Sequence, residues 1–166
     1  VRRLVPALAA REDVAQAFLD EARIAATFDH RNLIPVLEAG ADENGPYAVL
    51  KRGPGFDLRH VLQFAGRRSR VIPVPVAVHL VGSIARGLQH LHERNDADGW
   101  PLGLLHGAVA PVVVHVGMDG VVRLDEFGHT RIAAAARASD PATLADRLPY
   151  VTPEQLCSAP LDLRSD

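Results

Sequence analysis

The sequence is poor in cysteine, in net charge and in long apolar runs. Its single cysteine, Cys157, cannot form an internal disulfide bond, which excludes a disulfide-stapled scaffold and favours a reducing cytoplasm. The formal charge is −2 at pH 7 with both signs interspersed, so the sequence lacks the positive surface that binds nucleic acid or an anionic membrane. No apolar run approaches the length of a bilayer span, and no signal peptide opens the chain.

The residues that are present are typical of an ordinary globular protein. The chain has 166 residues, of which 48% are hydrophobic and 23% are charged. This length is enough for one domain with its own core, and this composition is not that of a disordered chain. Both ends are expected to be cut, because the chain opens directly on an apolar and basic segment and stops at Arg164-Ser165-Asp166.

A β-hairpin is the clearest local prediction. Val113–Gly117 and Gly120–Leu124 are short β-branched runs that meet at Asp119-Gly120, and an Asp-Gly step between such runs is a strong hairpin signal. The hairpin therefore carries its two flanking loops, His106–Val112 and Asp125–Gly128, towards one place.

Apolar periodicity predicts the other elements. Val1–Val5 reads as the end of a strand, and Asp57 is favoured as a helix N-cap. The predicted strands cover about 33–39 and 47–51, and the predicted helices cover about 13–28, 57–65 and 76–94.

Short motifs occur along the chain in a particular order. Phe18–Ala22 reads FLDEA, and Pro149–Gln155 reads PYVTPEQ. Between them, the loop before the hairpin holds His106 and Pro111, and Glu126-Phe127-Gly128 follows the hairpin. Together these motifs resemble those of the protein kinase superfamily, in particular the bacterial serine/threonine kinases, and the resemblance covers the whole chain.

The resemblance implies an α+β fold, the two-lobed protein kinase-like fold in partial form. The small-lobe strands and the C-helix would be followed by the first part of the helical large lobe, through the activation segment. Residues 1–166 would then be a single incomplete kinase domain, with residues 1–52 in the small lobe and residues 53–166 in the large lobe.

The resemblance also implies residues that would bind ATP. Arg2 stands where the family has a lysine on its third strand, and Glu21 matches the glutamate that pairs with that lysine. Leu50 would guard the back of the adenine pocket, and Asp57 could face a ribose instead of capping a helix. The implied nucleotide-binding residues are Arg2, Glu21, Leu50, Lys51, Arg52, Gly53 and Asp57.

The positions that would carry phosphoryl transfer are altered. Gly107 and Ala108 replace the Arg and Asp of the family's His-Arg-Asp motif, and Val113 replaces its metal-binding Asn. Loss of a positioned base typically costs ~10²–10⁴-fold in rate, and a valine cannot coordinate a cation. Glu126 replaces the magnesium-binding Asp with a side chain one methylene longer. The adjacent Asp125 would need a one-residue slip in order to substitute for it.

Two functions remain open from the sequence. The first is a degraded kinase, or pseudokinase: a cytoplasmic regulatory or binding module for other proteins or for other domains of its own polypeptide. It would bind ATP weakly at most, with little help from magnesium. The alternative is a divergent, active serine/threonine kinase that transfers the γ-phosphate of ATP to protein hydroxyls and uses Glu126 or Asp125 for the metal.

Overall fold

The computed structural model describes residues 1–125 and 148–166. Within these ranges, the first of two antiparallel sheets has the strand order β1-β3-β2. Its strands are β1 (Arg2–Arg3), β2 (Val36–Asp42) and β3 (Gly45–Leu50). The predicted strand at 33–39 begins later than expected, because Leu33 forms a parallel bridge with Leu124 of the other sheet. The chain therefore crosses from one sheet to the other immediately before β2.

The second sheet contains the predicted hairpin. Its antiparallel order is β4-β5-β6, formed by Gly55–Asp57, Val114–Gly117 and Val122–Leu124. The hairpin is confirmed, with Val114 opposite Leu124. Gly120 of the Asp-Gly step has a φ of +74°, a conformation that favours glycine. Strand β4 was not predicted, since three residues are too few to show a period.

The three predicted helices form with shifted ends, and the structure describes two further helices of four residues each, at Pro6–Ala9 and Pro153–Leu156, that were not predicted. In the described ranges they are α1 (Pro6–Ala9), α2 (Glu12–Ala25), α3 (Leu58–Arg67), α4 (Val74–His92) and α5 (Pro153–Leu156). Asp57 is the N-cap of α3, as predicted, because its carboxylate accepts the His60 backbone N–H at 2.8 Å. No helix in the described part of the chain is long and apolar enough to cross a membrane.

Helix α4 packs on the hairpin sheet and forms the larger core. A Cβ on Gly87 would lie 3.0 Å from the Asn32 carbonyl oxygen, so this glycine lets α4 approach the loop after α2 closely. The amide of Asn32 in turn donates to the Val122 carbonyl at 2.7 Å. The buried members of this core are Phe28, Leu33, Leu58, Leu80, Leu91, Val114, Val122 and Leu124. A smaller core joins α2 to the first sheet through Phe18, Ala22 and Ala48.

Candidate functional site

The segment between β3 and β4 lies directly against the hairpin. Strand β4 pairs with β5, and the backbone N–H of Met118 donates to the Pro54 carbonyl at 2.9 Å. A Cβ on Gly55 would lie only 2.3 Å from the Val116 carbonyl oxygen, so only glycine permits this approach. The segment expected to bind adenine is therefore fastened to the strand that follows the His106 loop.

Arg52 extends from this segment towards the hairpin. Its Nε donates to Nδ1 of His115 at 3.2 Å, and its Nη1 lies 3.9 Å from Oδ2 of Asp125. His115 is buried, with 2% of its surface exposed. Burial first, and the charge of Arg52 second, lower the pKa of His115. The ring is therefore neutral at pH 7, and its Nδ1 accepts the guanidinium proton.

Asp125 is the acidic member of the same group. Its carboxylate is 6% exposed, and Oδ1 accepts from Nη2 of Arg2 at 2.6 Å. Asp125 was expected to need a one-residue slip in order to substitute for Glu126 as a metal ligand. Its side chain already lines the cleft cavity, and its metal role stays untested. Strand β6 ends at Leu124, so side-chain alternation no longer sets the direction of the next residue. We name Arg2, Arg52, His115 and Asp125 the cleft cluster.

The His106 loop is held by a second buried carboxylate, that of Asp166. The backbone N–H of His106 donates to its Oδ2 at 2.8 Å, and that of Gly107 donates to its Oδ1. Nε2 of His92 also lies 2.8 Å from Oδ2, and the Asp166 side chain is 1% exposed. Gly107 has a φ of +73°, which suits glycine better than the arginine of the family. We name His92, His106, Gly107 and Asp166 the Asp166 hub.

Further contacts fix the loop between the hub and the cleft cluster. Nε2 of the buried His106 ring lies 2.8 Å from the Asp125 carbonyl oxygen. The side chain of Gln155, which forms a capping box with Thr152 at the start of α5, donates to the Gly107 carbonyl at 2.7 Å. The loop is therefore tied to the hairpin, to α4 and to the segment after residue 147.

The replaced catalytic positions contain no reactive group. Ala108 has only a methyl group, and Val113 is 1% exposed at the end of a 3₁₀ turn (Pro111–Val113). Glu126 lies outside the described residues, so its expected metal role is untested. The described residues do not fit a magnesium ion: Val113 offers no ligand, and the Asp125 carboxylate is paired with Arg2.

The other predicted site residues are divided between two faces. Arg2, Glu21 and Leu50 line one cavity of about 230 Å³ between α2 and the first sheet, and Asp125 also lines it. Lys51 and Gly53 instead line a separate groove together with Asp29, His30 and Arg31. The structure thus brings Arg2, Glu21, Leu50 and Arg52 to the Asp125 side, while Lys51 points away and Asp57 caps α3.

Sequence reasoning missed three residues of these clusters, which are His92, His115 and Asp166. His92 gave no stronger signal than the other histidines of α4. His115 lies within a run of valines in a strand predicted to be buried, and that unusual position was the available signal. Asp166 carried no local signal, since its partners lie 59 to 74 residues away in sequence.

Comparisons with known proteins agree with this geometry. A family model described as protein tyrosine and serine/threonine kinase matches residues 4–166. Tyrosine-protein kinase MasK of Myxococcus xanthus is 29% identical over 166 residues, which are 100% of this chain and 26% of MasK. Serine/threonine-protein kinase PknL of Mycobacterium tuberculosis is 30% identical over 155 residues, which are 93% of this chain and 36% of PknL.

Solved structures give the same result. The crystal structure of the Mycobacterium tuberculosis PknI kinase domain matches with a TM-score of 0.71 and 27% identity, over 98% of this chain and 56% of that one. The chain thus spans about half of that kinase domain and about a third or less of the two curated relatives. The expected α+β fold, a partial protein kinase fold, is confirmed.

Proposed function

Because the chain belongs to the protein tyrosine and serine/threonine kinase family, we propose that it is a catalytically deficient member that acts as a regulatory or binding module. Its partners in this proposal are other proteins or other domains of the same polypeptide. Residues 1–52 and 53–166 are the small-lobe and large-lobe parts of one incomplete kinase domain. We place the module in the cytoplasm, which its single cysteine supports.

The observation that carries the proposal is the state of the His106 loop. Hydrogen bonds to Asp166 and Gln155 hold its backbone in place, yet the loop presents Ala108 and the buried Val113 where a proton acceptor and a metal ligand are needed. Phosphoryl transfer depends on positioned charges, so an intact backbone without them provides a scaffold and no catalyst.

The proposal includes weak binding of ATP or ADP, with an affinity nearly independent of magnesium. Leu50 still provides an apolar wall, and Arg2 still provides a cation at the phosphate end. Magnesium adds little in this proposal, because Val113 cannot ligate it and the Asp125 carboxylate is already paired with Arg2.

One observation favours the alternative, a divergent active kinase. The Asp125 carboxylate lies in the cleft and could bind a metal if Arg2 moved away from it. Such an enzyme would still need a base to replace the one missing at Ala108, and the described residues do not supply one within the loop.

A phosphotransfer assay separates the two functions. The full polypeptide that carries residues 1–166 is incubated with magnesium and γ-labelled ATP, with and without a generic protein substrate, beside an active bacterial serine/threonine kinase. We expect no transfer above the background without enzyme. Turnover that disappears on Asp125→Asn or Glu126→Ala would establish the alternative instead.

A further inference from the structure

We propose that Arg52 occupies the adenine side of the cleft and acts as a built-in barrier to adenine nucleotides. The proposal rests on the proposed function, since it concerns the nucleotide cleft of a kinase-family domain. It names the residue that sets how weakly nucleotide binds there.

Arg52 reaches from the segment between β3 and β4 to the hairpin. Its side chain leaves the segment whose backbone the kinase resemblance assigns to adenine, and it contacts two elements of the large lobe. Nε reaches the His115 ring on β5, and Nη1 approaches Asp125 just after β6. A guanidinium that meets both contacts lies across the space between the adenine-binding backbone and the Asp125 carboxylate.

Both partners of Arg52 are buried. His115 is 2% exposed and the Asp125 side chain is 6% exposed, whereas Arg52 itself is 45% exposed. The anchoring groups are therefore fixed in the protein interior, and the arginine covers them from the solvent side. A depressed pKa keeps His115 neutral, so the ring accepts the Arg52 proton and does not repel the arginine.

Moving Arg52 away breaks its contacts with His115 and Asp125. Adenine is uncharged and cannot replace a guanidinium beside a buried carboxylate. Its entry would separate the Arg52 guanidinium from Nδ1 of His115 and leave Asp125 with less positive charge nearby. Nucleotide can bind only when Arg52 has left these contacts. Because the protein is in that open state only part of the time, the apparent affinity is lowered.

Adenosine is the sharpest probe, because it tests the adenine side without phosphate charges. Titration calorimetry in EDTA compares the wild-type full polypeptide with Arg52→Leu. We expect the variant to bind adenosine at least about tenfold more tightly, equivalent to about 1.4 kcal/mol. The matched control is Arg23→Leu, which removes an arginine whose guanidinium pairs with Asp20 on the exposed face of α2. Its affinity should stay at the wild-type value.

Equal or weaker binding by Arg52→Leu would overturn the proposal. Weaker binding of ADP by the variant, with no change for adenosine, would make Arg52 a phosphate contact instead. The proposed function fails separately, through phosphotransfer by either protein, and that result would leave the affinity comparison intact.

A measurement on the wild-type protein covers the case in which Arg52→Leu does not fold. Raising sodium chloride from about 0.05 to about 0.5 M screens the half-exposed Arg52 guanidinium and so weakens its attraction to Asp125, but it does not screen the binding of an uncharged nucleoside. We expect adenosine affinity to rise with salt in both the wild type and Arg23→Leu. An affinity that stays constant or falls would contradict the barrier.

Discussion

The Asp166 hub and the cleft cluster are each built around one buried carboxylate, but the partners differ in kind. Asp166 accepts two backbone N–H groups and lies beside the His92 ring, so it positions main chain. Asp125 is paired with the side chains of Arg2 and Arg52. One carboxylate thus holds the loop in shape, and the other is neutralised by side chains.

The difference separates the contacts that hold the loop in this kinase-family fold from the side chains on which chemistry would depend. The backbone hydrogen bonds to Asp166 need no particular side chain at residues 108 and 113, and the positive φ at residue 107 suits glycine, so the loop tolerates Gly107, Ala108 and Val113. The cleft depends on side chains, and there the arginines take up the acidic charge that a metal ion would otherwise require. The loop and the cleft are therefore held by different kinds of interaction in this molecule.

The largest expected effect is on the Asp166 hub. Asp166→Ala removes the acceptor of two backbone N–H groups and the partner of His92, and it leaves those donors buried. Because hydrogen bonds to charged groups contribute about 1.5–3 kcal/mol each and are not additive, we expect a loss of about 4 kcal/mol in the free energy of unfolding, measured by urea denaturation.

Asp98→Ala serves as the control, since Asp98 is exposed in the loop after α4. It should change the free energy of unfolding by less than about 0.5 kcal/mol. If Asp166→Ala cost no more than the control, backbone positioning would not depend on this carboxylate, and the contrast with the cleft would be lost.

Two adjacent arginines of β1 test the cleft cluster. Arg2→Ala leaves the buried Asp125 carboxylate without its 2.6 Å partner and should cost about 3 kcal/mol. Arg3 makes an equally short pair with Asp42, but both side chains are more than a third exposed, so Arg3→Ala should cost well under about 1 kcal/mol. Thermal unfolding of both variants measures the difference. Equal losses would show that Asp125 is not held as its burial indicates.

Local signals in the sequence predicted the fold well and the cleft only in part. The Asp-Gly step placed the hairpin, and apolar spacing placed α2 and α4 within a few residues. The run Asp13-Val14-Ala15-Gln16 is an Asp variant of the capping box and predicts Asp13 as an N-cap, but α2 begins at Glu12 and Asp13 pairs with Arg11. The Asp13 carboxylate pairs with the nearby Arg11 guanidinium instead of capping the helix. A capping pattern in the sequence does not include such a competing ion pair.

The direction of a side chain beyond a strand end could not be predicted either. Asp125 was expected to need a one-residue slip in order to substitute for Glu126, because strand alternation was extended one residue too far. The contact between Arg52 and His115 spans 63 positions and depends on how β4 meets β5. Such a contact follows from tertiary packing, which no local period contains.

The smallest expected effect is a dependence of stability on pH. Burial first, and the neighbouring His90 and Arg86 next, lower the pKa of His30, whose ring stacks on His90 with 4.9 Å between centroids. In the cleft, burial and Arg52 lower the pKa of His115. Because both pKa values are lower in the folded than in the unfolded state, the stabilisation is fully present above about pH 6.5 and is lost as pH falls.

We therefore expect the free energy of unfolding to fall by about 1 kcal/mol between pH 7.5 and pH 5.5, a range above the titration of the carboxylates. Urea denaturation at both values measures the fall. His115→Gln should reduce it by removing the contribution of the cleft, and His30→Gln should reduce it by removing that of the stacked pair. Arg52→Leu should also reduce it, because the pKa of His115 rises when the adjacent positive charge is removed. If none of these variants changed the pH dependence of the free energy of unfolding, the two rings would not have lowered pKa values in the folded protein. The neutral state of His115, on which the Arg52 contact depends, would then be contradicted.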